Sequence, residues 1–110
     1  MGKFVKGDVI VIPFPFSDLS STKRRPALVV AVLTGDDLIL CQITSQSVTD
    51  SYAIAIYDKD FISGGLHKGS NVRPNRIFTA DSKIVLYRAG VLAHNKVKEV
   101  VDKIIEIITT

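Results

Sequence analysis

The sequence predicts a mainly β protein in which five to seven short strands form a small, partly open barrel capped by one C-terminal helix. Short β-branched and apolar runs recur along the chain, separated by glycine, proline and polar turns. Only the last segment changes period, because its apolar residues recur every three or four positions. A length of 110 residues suits one domain, residues 1–110, with one hydrophobic core.

The first half of the chain predicts two strands separated by a long loop. Asp8–Pro13 is a β-branched strand that Pro13 and Pro15 end. Residues 14–25 are polar without an apolar period, so they predict a twelve-residue loop, and loops of this length are often functional. Pro26–Leu33 is apolar throughout, which is typical of a strand buried on both faces.

A hairpin and three further extended segments follow. Thr34–Asp37 predicts a tight turn in which Gly35 supplies a positive φ, and Leu38–Thr44 returns as the paired strand. Another strand is expected over Ser51–Ile56. The glycine-rich residues 58–69 (DKDFISGGLHKG) predict a loop or turn.

The next segments are an edge strand, an extended run and the helix. Ser70–Phe78 is placed at an edge because Pro74 interrupts it, and Lys83–Leu92 is extended with a possible turn at Gly90. Asn95 is the best N-cap candidate for the helix. The apolar stripe of the helix predicts a core or subunit contact and comprises Val97, Val100, Val101, Ile104, Ile105 and Ile108.

The net charge of +3 is distributed unevenly along the chain. Residues 1–55 carry five basic and five acidic residues, whereas residues 56–110 carry nine and six. Between Lys68 and Arg88, five cations accompany one acid, Asp81. This imbalance indicates a modest surface for a polyanion such as nucleic acid.

Several function classes are disfavoured by what the sequence lacks. Cys41 is the sole cysteine, so it predicts a buried thiol and no internal disulfide. Cys41 and two distant histidines do not suggest a metal site, and no cofactor is expected. The N-terminus has no signal-peptide pattern and no run is long enough to span a membrane, so a cytoplasmic, soluble protein is expected.

Arg25 is the strongest single candidate for a functional residue. Pro26 pushes Arg25 toward extended geometry, so the guanidinium is presented on a stiff backbone at the start of a buried strand. Arginine offers a planar fork of donors that fits phosphate oxygens. The alternative is that Lys23, Arg24 and Arg25 form a basic loop that only keeps the strand soluble.

Several short motifs follow one another along the chain in a fixed order. They are Gly7-Asp8-Val9, Arg25-Pro26-Ala27-Leu28-Val29-Val30, Cys41-Gln42-Ile43-Thr44-Ser45-Gln46 and Val72-Arg73-Pro74 before Ile77-Phe78, with the helix closing the chain. This order resembles the MazF/PemK family, the ribonuclease toxins of bacterial and archaeal toxin–antitoxin pairs. The resemblance extends from about Lys6 to Ile107. It implies an SH3-like barrel with an added helix.

The resemblance also implies which residues form the site. Arg25 and Thr44 match the catalytic pair of the family, and the implied RNA-binding residues are Ser17, Lys23, Arg24, Ser45, Gln46, Arg73 and Arg76. Thr44 and Arg25 are expected at the same open end of the sheet, because one ends and the other begins neighbouring strands of a hairpin. Residues 17–23 depart from the Gly/Glu/Gln-rich loop of many members.

The function implied by the resemblance is that of a type II toxin: a homodimeric, metal-independent, sequence-specific endoribonuclease that cuts single-stranded mRNA. Its products would be a 2′,3′-cyclic phosphate and a 5′-hydroxyl. A cognate acidic antitoxin is the expected partner, with DNA binding only through the antitoxin complex. The divergent 17–23 loop favours an alternative function, a catalytically weak barrel that binds nucleic acid or an antitoxin.

Simpler structural roles remain open for most candidates. Thr44 could bond only to its own backbone, Ser45 and Gln46 could be plain loop residues, and Arg73 and Arg76 could form a solvated edge. His67 and His94 lie outside the matched motifs and are not favoured as an acid–base pair. Phe14 and Phe16 could stack on bases, although core or loop anchoring is favoured.

Overall fold

The computed structural model describes residues 3–15 and 22–110 of the chain. It contains seven strands and one α-helix within those residues. The elements are β1 (Asp8–Pro15), β2 (Thr22–Val32), β3 (Asp37–Thr44), β4 (Ile54–Ile56), β5 (Phe61–Gly64), β6 (Ser70–Asp81), β7 (Tyr87–Leu92) and α1 (His94–Ile108).

The seven strands form one antiparallel sheet in the order β4-β6-β3-β2-β1-β7-β5. Register shifts interrupt the pairing of β1 with β7, β2 with β3 and β3 with β6. Such bulges strengthen twist and bend a sheet, so the seven strands curl into a half-barrel. Among the described strands, β4 and β5 each have one partner, so the barrel is open there, which confirms the predicted fold class.

The predicted loop over residues 14–25 is wrong at both of its ends. β1 continues through Pro13 to Pro15, and β2 begins at Thr22 and pairs with it from Ile12↔Arg25 to Pro15↔Thr22. Beyond Val11, β1 has no registered partner in β7, so the N–H groups that the prolines lack are not needed for a ladder on that side. Cross-strand pairing therefore overrides the polar composition of this segment.

The sheet has an apolar cluster on each face. Leu28 belongs to the cluster that contains Val97 and Val100 of α1, whereas Ala27 and Val29 belong to the cluster around Ile10 and Ile12. The prediction that Pro26–Leu33 is a strand buried on both faces is confirmed for residues 27–29. It is wrong at the end of that range, where Val32 and Leu33 are exposed and the strand ends at Val32. Gly35 in the following turn has the expected positive φ of +86°.

β6 is not simply an edge strand, contrary to the prediction from Pro74. Its first three residues lie between β3 and β4, and its pairing with β3 continues to Asp81. Pro74 lies in the interruption between Gln42↔Arg73 and Cys41↔Ile77, where the chain bulges out of register. A bulge tolerates proline because the displaced residue does not need to donate to the ladder.

The glycine-rich segment contains β5, which the sequence predicted as loop, and Gly90 lies within β7 rather than in a turn. β5 and β7 approach closely at Gly64 and Gly90. A Cβ on Gly90 would lie 2.6 Å from the Ser63 carbonyl oxygen, and one on Gly64 would lie 2.7 Å from the Gly90 Cα. The glycines therefore permit the close contact between β5 and β7. Because glycine weakens the sequence pattern typical of a strand, they also explain why a loop was predicted here.

The observed bounds of two other strands differ by a few residues from those that the sequence predicted. The strand expected over Ser51–Ile56 is limited to β4, and the extended run expected from Lys83 begins at Tyr87, after a 3₁₀ turn over Ser82–Ile84. Asp81 caps that turn by accepting a hydrogen bond from the Lys83 amide at 2.8 Å. A local side-chain cap thus replaces strand pairing there.

α1 begins two residues earlier than an Asn95 cap would place it, so that prediction is wrong. Ala93 occupies the N-cap position without a side-chain hydrogen bond. Its own amide donates to the Asp60 carbonyl at 2.8 Å, so the helix start is held by the 58–60 turn rather than by a capping side chain. In the described chain, no helix is both long and apolar enough to cross a membrane.

Candidate nucleic-acid interface and active site

The candidate site opens where the pairing of β2 with β3 stops. The last registered pair at this end is Ala27↔Gln42, and the preceding residue, Pro26, has no N–H to continue the ladder. β2 nevertheless runs four residues further toward Thr22 on its pairing with β1. The site therefore lies at the ends of strands that are held rigidly from one side.

Arg25 and Thr44 lie opposite one another at this end. Extending the Ala27↔Gln42 register by two residues places Arg25 across from Thr44, and directly opposed residues of antiparallel strands share a face. Arg25 is also paired across β1 with Ile12, which fixes its backbone. The sequence predicted only that the two residues lie at the same end of the sheet. The observed register adds that they lie on the same face.

A cleft of about 440 Å³ surrounds these two residues. Its lining includes Lys23, Arg24, Arg25 and Lys68, and no acidic residue of the described chain lines it. We call this feature the cationic cleft. The predicted Ser45 and Gln46 also line it, so five of the other candidates join Thr44 in one place. Four cations in one cleft suit a phosphodiester backbone.

The Thr44 hydroxyl is oriented by the turn that follows it. Thr44 is largely buried, and its Oγ1 accepts a hydrogen bond from the Gln46 amide at 3.2 Å. The Gln46 carbonyl in turn accepts one from the Asn71 side chain at 3.3 Å. Because Oγ1 accepts from the backbone, its own proton remains available to donate toward a ligand.

Arg73 and Arg76 lie outside the cationic cleft. Arg73 donates to Asp50 at 2.7 Å, and only 18% of its side chain is exposed. Partial burial disfavours the Asp50 carboxylate, but hydrogen bonds from Arg73 and from the Tyr52 and Ala53 amides outweigh it and lower the pKa of Asp50. Arg76 lines a separate depression beside Phe14 and Phe78.

The cationic segment from Lys68 to Arg88 is less available than its composition suggests. Arg73 pairs with Asp50, Lys83 with Asp36 at 3.4 Å and Arg88 with Asp8 at 3.2 Å. The count along the sequence considered only Asp81, whereas these carboxylates come from distant positions. Most of the positive charge of the cleft comes from the first residues of β2.

Several other candidates are placed away from the cationic cleft or outside the described chain. Ser17 and Phe16 lie outside the described residues. Phe14 packs edge-on against Phe78, with ring centroids 5.2 Å apart, which agrees with anchoring rather than base stacking. His67 and His94 do not line the cleft, and His94 instead borders a recess beside α1.

Tyr87 and Lys68 line the cleft although no sequence motif predicted a site role for them. Tyr87 is 53% exposed and reaches the cleft because β7 pairs with β1 at Val11↔Tyr87. Lys68 was counted only within the basic segment. No local motif marks Tyr87, since its proximity to Arg25 depends on the strand order.

Cys41 takes no part in the cleft. It is buried in the sheet, and burial raises the pKa of its thiol to about 12. In the described residues, no group of three or more His, Cys, Asp or Glu side chains is arranged to hold a metal ion.

The comparisons with known proteins agree with this fold. The sequence model of the "PemK-like, MazF-like toxin of type II toxin-antitoxin system" matches residues 5–108. The chain therefore belongs to the PemK-like, MazF-like toxin family. A search of curated protein sequences finds no significant match.

Solved structures with the same fold include several toxins. A mycobacterial endoribonuclease in complex with its cognate antitoxin has a TM-score of 0.74 at 14% identity, covering 96% of this chain and 94% of that chain. The Mycobacterium tuberculosis toxin MazF-mt6 has a TM-score of 0.72 at 14% identity, with coverages of 92% and 95%. MazF from Deinococcus radiodurans has a TM-score of 0.73 at 18% identity, covering 96% of each chain. These likenesses establish the fold.

Proposed function

We propose that this chain is a metal-independent endoribonuclease toxin that cuts single-stranded RNA, with mRNA as its cellular substrate, at preferred sequences. The observation that carries the proposal is the position of Arg25 opposite Thr44 in a cleft lined by four cations. Family membership and the endoribonucleases among the structural neighbours support it.

RNA supplies the nucleophile for this reaction. The 2′-hydroxyl attacks the adjacent phosphorus while the bond from phosphorus to the 5′-oxygen breaks. The 2′-hydroxyl loses its proton and the leaving 5′-oxygen gains one, so the products are a 2′,3′-cyclic phosphate and a 5′-hydroxyl. No co-reactant is consumed, and the protein has to orient the groups and stabilise the negative charge of the transition state.

Arg25 and Thr44 are proposed to stabilise that charge. Arg25 donates from its guanidinium to the nonbridging phosphate oxygens, where two parallel hydrogen bonds are possible. Thr44 donates from its oriented hydroxyl to the same oxygens. Preorganised donors of this kind are each worth about 10²–10³ in rate. Arginine is a weak general base because its pKa is high, so charge stabilisation is its main proposed role.

The remaining cleft residues are proposed to hold the strand on both sides of the cut. Lys23, Arg24 and Lys68 neutralise flanking phosphates, whereas Ser45 and Gln46 contact the nucleotide beside Thr44. Arg76 is proposed as an outlying phosphate contact. Contact of Arg73 with RNA would require it to leave Asp50, so its proposed contribution is weaker than that of the cleft cations.

Assembly and partners complete the proposal. One cleft is short for gripping several nucleotides, so we propose a symmetric homodimer that places two clefts along one strand. The proposed inhibitor is a cognate acidic antitoxin that competes for the cationic cleft. DNA would then be bound only by the antitoxin complex, and the toxin would act in the cytoplasm, where mRNA is found.

The test is incubation of the purified protein with a long single-stranded RNA in excess EDTA, followed by mapping of the cut ends. Discrete cuts with cyclic phosphate and 5′-hydroxyl ends are expected. Cleavage that appears only when a divalent metal is added would contradict metal independence. Retarded but intact RNA would instead favour the catalytically weak binding barrel.

A further inference from the structure

A second, smaller recess of about 230 Å³ adjoins the cationic cleft. The two share Ser45, Gln46 and Ser70 as common walls. The second recess is otherwise bounded mainly by Tyr57, Gly69 and Asn71. We call it the tyrosine recess. A polymer held in the cleft reaches it by crossing only the residues that both features share.

The two neighbouring depressions differ in charge. Four cations line the cleft, whereas no charged residue of the described chain lines the tyrosine recess. A phosphate group is therefore favoured in the cleft and a neutral, flat group in the recess. A single-stranded nucleic acid carries both kinds of group within one nucleotide, and binding grooves for it combine cations with aromatic platforms.

Tyr57 is built as a platform. The residue is 53% exposed, so much of it is accessible to a ligand. Its backbone is held from both sides by Asp60, because the Tyr57 amide donates to the Asp60 carboxylate and the Tyr57 carbonyl accepts from the Asp60 amide, each at 2.8 Å. A ring on a fixed backbone loses little freedom when a base stacks on it.

Gly69 lets the ring lie close to the backbone of the opposite wall. A Cβ at position 69 would lie 3.0 Å from Tyr57 Cε1, so a larger residue must shift the ring by a few tenths of an ångström. Ser45 and Gln46 are exposed at the shared wall, where their side chains can bond to the edge of a base. The backbone of Gln46 is already engaged by Thr44 and Asn71, so this wall is held in position.

We propose that the tyrosine recess binds the base of the nucleotide next to the scissile phosphate and sets the base preference there. This inference rests on the proposed ribonuclease function. Stacking on Tyr57 supplies affinity, and the side chains of Ser45 and Gln46 discriminate between bases by hydrogen bonds to the base edge. The recess thus determines specificity, while Arg25 and Thr44 carry out the chemistry.

The experiment uses a short RNA that the wild-type protein cuts once, and a series in which one base at a time is removed. Removing the base that enters the recess is expected to slow wild-type cleavage roughly tenfold or more, because stacking of one base has about that value. Tyr57→Ala is expected to slow cleavage of intact RNA by a similar factor. For Tyr57→Ala, removing that base should slow cleavage hardly any further, because both changes remove the same stacking interaction.

Two further variants keep the result interpretable. Tyr52→Ala removes another exposed tyrosine that lines neither depression, and it should behave as wild type toward every RNA in the series. Gly69→Ala displaces the Tyr57 ring without removing it and should weaken the preference at the same position only. Circular dichroism and melting confirm that each variant is folded.

The outcomes separate this inference from the proposed function. A wild-type protein that cuts no RNA contradicts the function, and the same comparison is then made on RNA affinity by fluorescence anisotropy. If the wild type cuts or binds RNA, and base removal affects Tyr57→Ala as strongly as it affects the wild type, the inference is overturned. An equal effect of Tyr52→Ala would do the same.

Discussion

At the scale of single residues, the arginines of this chain differ in position. Arg73 and Arg88 lie within ion-pair distance of Asp50 and Asp8. Arg25 instead lines the cationic cleft together with Lys23, Arg24 and Lys68. The position of an arginine in the fold, rather than the number of cations in its segment, indicates which one suits a phosphate.

Arg25→Lys and Thr44→Ala are expected to reduce RNA cleavage by about 10²-fold each, because each removes donors aimed at the transition-state charge. Lysine retains the charge but cannot reproduce the planar fork. Single-turnover cleavage rates at saturating protein are the measurement. His67→Ala and His94→Ala serve as controls and should cut normally. A dead histidine variant beside an active Arg25→Lys would overturn the proposed mechanism.

Asp50→Asn is expected to destabilise the fold at neutral pH, because it removes the charge that pairs with Arg73. The pKa of Asp50 is lowered from 3.8 in the folded state, so ionisation of Asp50 favours folding above that pH. As the pH falls below about 3.8 this contribution is lost, and the two proteins should converge in stability. Urea unfolding at neutral and acidic pH measures the difference. A gap that stays constant or widens in acid would contradict this linkage.

At the scale of elements, the positions of the prolines determine where strand pairing stops, and helix packing determines which apolar residues of α1 are covered. Pro26 ends the β2–β3 ladder and so opens the cleft, whereas Pro13 lies where β1 has no registered partner in β7. α1 contributes only part of its apolar stripe to the described core. Val97 and Val100 are buried, but Ile105 and Ile108 are 50% and 68% exposed.

Val100→Ala is expected to lower the free energy of unfolding by about 2 kcal/mol, since it removes two methyl groups from a fully buried site. Ile108→Ala removes more apolar volume from an exposed position and should change the stability of the monomer by less than about 0.5 kcal/mol. Urea unfolding at low protein concentration compares the two. A larger loss in Ile108→Ala would show that the end of the helix is covered.

At the scale of the whole molecule, the proposed dimer and its RNA affinity can be tested together. Light scattering should give twice the 12.0 kDa mass of the chain. Because up to four cations per cleft can neutralise phosphates, affinity for single-stranded RNA should fall by roughly fiftyfold between about 50 and about 200 mM salt. A stable monomer would reject the dimer, and affinity indifferent to salt would reject the cationic cleft as the binding surface.

The sequence predicted most of the local structure, and it predicted that Arg25 and Thr44 lie at the same end of the sheet. The apolar run after Pro26 located the second part of β2, the turn at Gly35 located β3, and the apolar stripe located α1. Arg25-Pro26 and Ile43-Thr44 marked the candidate site. These signals are local, because each depends on neighbouring residues and on how proline restricts its own backbone.

The tertiary structure alone decided the rest. β5 exists because Gly64 and Gly90 allow two strands to touch, and the start of α1 is held by Asp60 rather than by a capping side chain. Arg73 is paired with an aspartate twenty-three positions away, and Tyr57 and Tyr87 reach their depressions only through strand order. Pairings between distant segments depend on the free energy of the whole sheet, so composition and spacing along the chain do not determine them.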